Sequence, residues 1–236
     1  YSAQYSPVGK NTINSVGGSH GGLGWRYTGT ESAPFAAYGS IVEPVTAGSG
    51  SSHQPGAGVI RLTAGGTFRN EGTVQSRSDT NKDYSGASGS IWITAARLTG
   101  EGAIDATVTP STYCATGGGR IAVTLTDPSA DFSAFDPERI TAAGNTVGSK
   151  TGGAGTIYLR TGAQAADEGT LIIRSNKGAS VNATPLGGDI AGTAFGSVVI
   201  TNGAKATLAA NSHITVKGDW LNFATFSAGA GSTVDF

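Results

Sequence analysis

One short pattern recurs along this chain and limits the folds it can adopt. Five segments begin with a glycine and read "GVIRL", "GSIWI", "GRIAV", "GTIYL" and "GSVVI", starting at Gly58, Gly89, Gly119, Gly155 and Gly196. The third and fifth residues of each segment are apolar, and residues two apart in an extended chain lie on the same face. The sequence therefore predicts five short β-strands that repeat one another.

The alternation also predicts which side chains are buried. The third residue of each of the first four repeats should be buried, in stacked rows: Ile60, Ile91, Ile121 and Ile157. The residue after each of these should lie on the opposite face of its strand: Arg61, Trp92, Ala122 and Tyr158. Stacked rows of this kind require neighbouring strands to pair in parallel and in register.

A second signature follows three of the strands, and the spacing of the repeats indicates the architecture. "EGTV", "EGAI" and "EGTL" begin at Glu71, Glu101 and Glu168, and we interpret each as a turn that leads into another inward apolar residue. The strand-opening glycines are 31, 30, 36 and 41 residues apart. Constant strands with insertions of variable length are typical of a solenoid. No segment has helical spacing, and residues 133–141 are expected to form one helical turn at most.

These patterns divide the chain into two parts of one continuous all-β domain. Residues 1–57 are predicted to be a loop-rich N-terminal cap with the first coils, and residues 58–236 to hold the main coils. The final strand places Val234 and Phe236 on one face with nothing after it to cover them. Because an exposed strand edge invites pairing, we expect further repeats or a neighbouring copy to cover this end.

Composition excludes several partners and indicates an exported protein. Charged residues make up 13 % of the chain and the formal net charge is −1, so the sequence lacks the positive field that nucleic acid or an anionic membrane requires. No apolar run approaches the roughly 18 residues that span a bilayer, and the N-terminus does not resemble a signal peptide. With no Met, we interpret the chain as a mature protein or part of a longer one. Cys114 is the single cysteine, which excludes an internal disulfide.

The repeats resemble a known class of secreted bacterial proteins. "GGSHGG", "YGSIVEP", "GVIRLTAGGTFRNEGTV", "GSIWITAARLTGEGAI" and "GGGRIAV" are similar to the Gly-rich repeats of autotransporter-type passengers and large surface adhesins, and the last residues are similar to their tail repeats. The resemblance implies a right-handed parallel β-helix, an extracellular or cell-surface location, and contact with carbohydrate. It does not imply one activity, because the repeated residues are scaffold residues.

Aromatic residues near the N-terminus form one candidate binding site. The four rings lie within otherwise small-residue sequence: Trp25, Tyr27, Phe35 and Tyr38. We favour a role in capping the end of the core, because terminal coils need such a cover. The alternative is a platform on which sugar rings stack, with His20 beside it.

Catalytic patterns are incomplete. A polygalacturonase-like hydrolase needs paired carboxylates, and only half of one of its four motifs is found, in the "SHGG" that begins at Ser19. A lyase needs a base and a cation, which several residues would supply if the coils brought them together. Those residues are His20, Tyr38, His53, Arg61 and Lys150. Cys114 has no adjacent triad pattern.

Two oxygen-rich stretches are the candidates for calcium. The first contains Asp79, Asn81 and Asp83 at alternate positions, and the second contains Asp127, Asp131 and Asp136. Calcium requires six to eight oxygen ligands, whereas Asp and Asn also serve commonly as turn residues. We favour solvated turns, and calcium is the only cofactor that the sequence leaves open.

The sequence as a whole favours a non-enzymatic structural or adhesive segment of an exported bacterial surface or matrix protein. Its expected partners are glycans or a host or matrix surface, together with neighbouring repeats or copies of itself. A polysaccharide-active enzyme, lyase before glycoside hydrolase, is the first alternative. A self-assembling fibre subunit is the second.

Overall fold

The protein is all-β, and most of its strands pair in parallel. The computed structural model describes residues 17–25, 36–51, 54–78, 84–175 and 181–236. The strands are β1 (Val59–Arg69), β2 (Thr73–Gln75), β3 (Ser90–Thr99), β4 (Ala103–Asp105), β5 (Arg120–Leu125), β6 (Ile140–Thr141), β7 (Thr146–Val147), β8 (Lys150–Thr151), β9 (Thr156–Arg160), β10 (Thr170–Arg174), β11 (Ala183–Leu186), β12 (Ala194–Phe195), β13 (Ser197–Thr201), β14 (Lys205–Leu208), β15 (His213–Val216), β16 (Trp220–Asn222), β17 (Thr225–Ala228) and β18 (Thr233–Asp235). One 3₁₀ turn, Pro137–Arg139, falls in the segment predicted to hold a single helical turn. Within the described ranges, no helix is long and apolar enough to cross a bilayer.

A seven-stranded sheet contains all five predicted repeat strands. Its order is β1-β3-β5-β9-β10-β13-β16. Each repeat strand begins one residue after its glycine, as predicted. The first four repeats pair in parallel, and the predicted row Ile60, Ile91, Ile121 and Ile157 is in register across them. The last three of these isoleucines are buried, whereas Ile60 is half-buried because β1 is the edge strand of the sheet.

The first core lies between these four strands and the short sheet β2-β4-β6. Val74, Ile104 and Ile140 occupy the short strands, and Val74 pairs with Ile104, which pairs with Ile140. Ile104 and Ile140 are fully buried against the isoleucine row. Two of the three predicted Glu-Gly turns, at Glu71 and Glu101, therefore lead into inward apolar residues of the same sheet.

The third Glu-Gly segment leads into a buried apolar residue, Leu171, as predicted, but it and the fifth repeat belong to a different core from the first two segments. β10 follows Glu168 and pairs antiparallel with β9, so Leu171 lies opposite Tyr158 in the main sheet and not beside Ile140. The chain turns back over residues 161–169, which reverses the direction of every later strand in this sheet. Val198 and Ile200 of the fifth repeat consequently face a second core on the other side of the sheet. The five repeat strands therefore share one sheet, but the fifth does not extend the row that the first four form.

The second core lies among three sets of strands that the chain visits in turn. β10, β13 and β16 belong to the main sheet, β11-β14-β17 form a second sheet, and β12-β15-β18 form a third. Every pairing within these sets is parallel. The fully buried apolar side chains among them include Leu171, Phe195, Val198, Ile200 and Ile214.

Glycine-rich segments pack against one another beside the first core. Residues 17–24 contact residues 115–119 and 152–155 through backbone hydrogen bonds, among them Gly21 N to Gly118 O at 3.0 Å and Gly153 N to Leu23 O at 2.8 Å. The last two segments also contact each other, through Gly118 N to Gly153 O at 3.0 Å. A Cβ at Gly22 would overlap the carbonyl of Gly153, and one at Gly118 would overlap the carbonyl of Ala142. We call this packed set of segments the glycine layer. Its close backbone approach explains why these segments are rich in glycine.

The last strands leave apolar side chains exposed. β16, β17 and β18 are the edge strands of their sheets. Phe223 is 71 % exposed and Phe236 is 80 % exposed, although Phe236 lies 6.2 Å from the Trp220 ring. The expectation that further repeats or another copy covers this end stays a prediction.

Candidate functional site

A groove lies on the outer face of the first four strands of the main sheet, opposite the first core. Its volume is about 170 Å³, and nine residues line it: Val42, Glu43, Trp92, Thr94, Thr124, Thr126, Tyr158, Arg160 and Ala166. We call it the outer-face groove. It is small compared with typical ligand pockets of about 300–1,000 Å³, so it suits one unit of a longer ligand.

Two rows of side chains form this face, because residues in register on parallel strands stack. One row contains Arg61, Trp92, Ala122 and Tyr158. The adjacent row contains Thr63, Thr94, Thr124 and Arg160. The first row is the one that the sequence placed opposite the isoleucines, so its face is confirmed. The groove floor therefore contains Thr94 and Thr124, with the Trp92 ring beside Thr94 and the Arg160 guanidinium beside Thr124.

Trp92 and Tyr158 are held in place by different contacts. The Arg61 guanidinium lies over the Trp92 ring, 4.2 Å from its centroid. Tyr158 is buried, and its hydroxyl donates to Ala166 O at 2.7 Å and accepts from Gly169 N at 3.2 Å. Burial also raises the pKa of the Tyr158 phenol. The loop over residues 161–169 is thus tied to the sheet, which positions Ala166 as one wall.

The opposite wall comes from the N-terminal part of the chain. Gly39 has φ of 86°, a conformation that glycine adopts without strain, and the chain turns there toward Ile41. Ile41 is fully buried in the second core, and its N–H donates to Ala191 O at 2.9 Å. Val42 and Glu43 are thereby held beside Trp92, with the Glu43 N–H donating to Ser40 Oγ at 3.0 Å.

Four of the polar side chains that line the groove have free hydrogen-bonding capacity. Within the described part of the chain, the side chains of Glu43, Thr94, Thr124 and Arg160 make no hydrogen bond or ion pair. Arg160 is half-buried and Glu43 is exposed on opposite sides of the groove. These groups can therefore exchange hydrogen bonds with water for hydrogen bonds with a polar ligand.

His20 and Tyr38, two of the predicted ligand-binding residues, lie together inside the protein. Their ring centroids are 5.0 Å apart. His20 is fully buried, with Nδ1 2.8 Å from Ser88 O and Nε2 3.0 Å from Thr46 Oγ1. Burial, reinforced by the nearby Arg120 charge, lowers the pKa of His20 from 6.5 to about 3. His20 therefore offers a ligand neither surface nor a free ring nitrogen.

Arg120 completes this buried cluster. Its Nε donates to Tyr38 O at 2.9 Å and its Nη1 donates to Thr156 Oγ1 at 2.9 Å. Within the part of the chain that the structure describes, its Nη2 has no hydrogen-bond partner. Burial lowers the pKa of Arg120 to about 10, and burial also raises the pKa of Tyr38, whose hydroxyl donates to Ala47 O at 2.7 Å.

Trp25 lies apart from Tyr38 and does not share a platform with it. The Trp25 indole N–H donates to Thr151 O at 2.6 Å, and Lys150 Nζ is 5.4 Å from the ring centroid. Trp25 is therefore held at Thr151 of β8, whereas the backbone of Tyr38 is held by Arg120 of β5. The predicted capping role of these rings stays a prediction. Tyr27, Phe35 and His53 lie outside the described residues.

The two predicted calcium stretches have different outcomes. Asp79, Asn81 and Asp83 lie outside the described residues. In the second stretch, each aspartate accepts a hydrogen bond from the backbone N–H two residues later, so Asp127, Asp131 and Asp136 serve separate turns. The described residues contain no cluster of three or more metal-ligating side chains.

The remaining candidates have structural surroundings. Cys114 is fully buried. Glu168 accepts from Ala165 N at 2.9 Å, and Glu71 accepts from Glu101 N at 3.3 Å and pairs with Arg69, as expected for turn residues. Arg61, proposed from the sequence as a lyase cation, contacts Trp92 and not His20 or Lys150.

The sequence interpretation missed the groove, although part of the signal was present. The outward positions of β3, β5 and β9 read Trp-Thr, Ala-Thr and Tyr-Arg, and their register follows from the repeat spacing. Val42 and Glu43 carry no such signal, because they reach the sheet only through a loop. Comparisons of the chain with protein-family models, with curated protein sequences and with solved structures return no match.

Proposed function

We propose that this chain is a structural and adhesive segment of an exported bacterial surface or extracellular-matrix protein, and that it binds carbohydrate in the outer-face groove. The observation that carries the proposal is the composition of the groove, in which Trp92 lies beside unpaired hydroxyl, guanidinium and carboxylate groups. Sugars present apolar C–H faces and many hydroxyls, so they suit an aromatic ring flanked by such groups.

The scaffold that presents the groove is, in this proposal, a right-handed parallel β-helix. The regular alternation of β10 to β18 among three parallel sheets supports it. Crossover connections between parallel strands of one sheet are right-handed in about 98 % of cases. Between β9 and β10 the strands reverse direction and the core moves to the other face of the sheet, while successive strands continue to stack in the same direction. Both changes together are equivalent to a rotation of 180° about the stacking axis. A rotation does not change handedness, so the coils before and after the reversal have the same hand.

The groove favours binding over cleavage. A glycoside hydrolase uses two carboxylates that flank the scissile bond, and Glu43 is the one carboxylate among the groove-lining residues. A lyase needs an available base, but the Tyr158 hydroxyl donates its proton to Ala166 O and has a raised pKa. The groove therefore supports recognition of a sugar without a pair of groups to break its bonds.

Glycan retention by variants of Trp92 and Trp25 tests the proposal. Trp92→Leu keeps apolar bulk but removes the aromatic ring, so we expect it to weaken retention on a glycan array at least tenfold. Trp25→Ala, which removes the ring predicted from sequence to bind, should leave retention unchanged. Melting temperatures of both variants report folding. Loss of retention in Trp25→Ala, with Trp92→Leu binding like the native protein, would contradict the proposal.

A further inference from the structure

Most described arginines are matched to a carboxylate or a carbonyl away from the groove. The ion pairs are Arg69–Glu71, Arg77–Asp105, Arg97–Asp127 and Arg174–Glu138. Arg139 donates to Glu101 O at 2.6 Å. Within the described ranges, three arginines make no ion pair: Arg61, Arg120 and Arg160. Arg120 donates to Tyr38 O and Thr156 Oγ1, whereas the guanidinium groups of Arg61 and Arg160 make no hydrogen bond within the same ranges.

These three unpaired arginines share one face of the main sheet. Arg61 is in register with Trp92 and Tyr158, and Arg160 is in register with Thr124. Arg120 lies two residues before Ala122 on β5, on the same face, with one guanidinium nitrogen unsatisfied. Arg160 lines the outer-face groove and Arg61 lies over the ring of its Trp92, whereas Arg120 is fully buried beneath this face. Among the described residues that line the groove, Glu43 is the one acidic residue.

We infer that the ligand of the groove is an acidic glycan, in which a sugar residue that carries a carboxylate binds at Arg160. This inference rests on the proposed function. Arg160 is half-buried beside Tyr158, so its charge has lost part of its hydration without gaining a protein counter-ion. A planar carboxylate matches the two parallel donors of a guanidinium.

The two rows indicate how such a ligand lies on the sheet. Its carboxylate contacts Arg160 on β9, its hydroxyls contact Thr124 and Thr94 on β5 and β3, and its apolar face contacts Trp92. Neighbouring strands are about 4.8 Å apart and a strand rises about 3.3 Å per residue. Arg160 and Trp92 are therefore separated by about 10 Å across the sheet and about 7 Å along it, or about 12 Å in all. The ligand chain therefore crosses the strands, with Arg61 placed near its other end.

Arg61 supplies a second positive charge at the Trp92 end. It is exposed on the edge strand and lies over the indole ring, where it is free to turn toward an anionic group without breaking an ion pair. Charges concentrated along a cleft raise the local concentration of oppositely charged ligands, and salt screens that effect. Glu43 opposes it, so Glu43→Gln should not weaken the binding of an acidic glycan.

Binding measurements with matched acidic and neutral probes test the inference. The probes are immobilised oligosaccharides that contain glucuronate or galacturonate and the same oligosaccharides after carboxyl reduction, which leaves every other group unchanged. We expect the protein to bind an acidic form at least tenfold more tightly than its reduced form. The preference should diminish as salt is raised.

Two arginine variants identify the contact. Arg160→Gln should abolish the preference for the acidic form, and Arg97→Gln, which changes an exposed arginine paired with Asp127, should keep it. Equal binding of acidic and reduced probes, or a preference that survives Arg160→Gln, would overturn the inference and leave carbohydrate binding itself intact. Failure to bind any acidic or neutral glycan would instead overturn the proposed function.

Discussion

His20 is held as a neutral ring at the centre of a buried polar cluster. A carbonyl oxygen only accepts hydrogen bonds, so Nδ1 donates to Ser88 O and the Thr46 hydroxyl donates to Nε2. Protonation of Nε2 would turn this acceptor into a donor facing Thr46. The positive charge of Arg120 opposes protonation further. The ring therefore connects the N-terminal segment to Thr46 and to Ser88 in the loop before β3. These contacts stabilise the fold and leave no ring nitrogen for a ligand.

The pH dependence of stability tests this role of His20. The pKa of His20 is lowered from 6.5 to about 3 in the folded protein, so below about pH 6.5 the unfolded chain binds a proton that the folded protein excludes. The free energy of unfolding should therefore fall as pH is lowered toward 3, by up to about 1.4 kcal/mol per pH unit from this residue. Urea denaturation between about pH 7 and pH 4 measures it.

Two histidine variants separate this effect from other titrations. His20→Gln should be less stable than the native protein near neutral pH, and the difference should shrink as pH falls, because the variant lacks the titrating group. His213→Gln, at an exposed residue that lies 2.7 Å from Asp235, should retain the native slope attributed to His20. Parallel stability curves for the native protein and His20→Gln would exclude a buried neutral His20.

At the level of elements, the glycine layer replaces side-chain packing with direct backbone contact. Gly21 and Gly22 both donate to Gly118 O, and Gly153 N donates to Leu23 O at 2.8 Å. A side chain in such a layer would separate the segments and break these hydrogen bonds. The layer therefore fixes the N-terminal segment against β5 and β9, and with it the loop that carries Val42 and Glu43.

Glycine-to-alanine substitutions test the layer, with an internal control. Gly118→Ala should destabilise the protein by about 1–3 kcal/mol or prevent folding, because the added methyl group overlaps the Ala142 carbonyl. Gly65→Ala adds the same group to β1 where nothing lies within 4 Å, so it should change stability by less than about 0.5 kcal/mol. Thermal denaturation compares them. Equal melting temperatures for the two variants would show that the close contacts are absent.

The β9–β10 reversal is the element that creates the groove. The 161–169 loop that makes the reversal supplies Ala166, and Ile41 of the opposite wall packs into the second core that exists because of the reversal. Without it, the outer face of β1, β3, β5 and β9 would continue as an open sheet surface. A structural interruption of the repeat thus coincides with the candidate site.

For the whole molecule, the sequence predicted the strands and their faces but not the change of side. The glycine-opened alternation placed Ile91, Ile121 and Ile157 in one buried row, since period-two patterning specifies which residues share a face. The same patterning does not specify on which face of the main sheet the core forms. Leu171 and Val198 fit the alternating pattern equally well after the strand direction has reversed and the core has moved to the other face. Only the length of the 161–169 loop and its tertiary contacts decide the direction.

The candidate site was less predictable than the fold for a related reason. Trp92 and Tyr158 were placed correctly on the outward face, but outward residues of a sheet are usually solvated. These two rings line a groove only because Val42 and Glu43, from a loop distant in sequence, lie beside them. The groove also depends on Arg160, which has no carboxylate partner among the described residues. Aromatic residues near the N-terminus carried the stronger sequence signal, yet the described ones, Trp25 and Tyr38, are held by different segments.

The indole N–H signals of the tryptophans report directly on whether a glycan binds beside Trp92. The chain contains three tryptophans, which Trp→Phe variants assign in a two-dimensional NMR spectrum: Trp25, Trp92 and Trp220. During titration with a uronate-containing oligosaccharide, we predict that the Trp92 signal shifts progressively and saturates, while the Trp25 and Trp220 signals stay in place. A titration in which the Trp92 signal does not shift, or in which the Trp25 signal alone shifts, would contradict glycan binding in the outer-face groove.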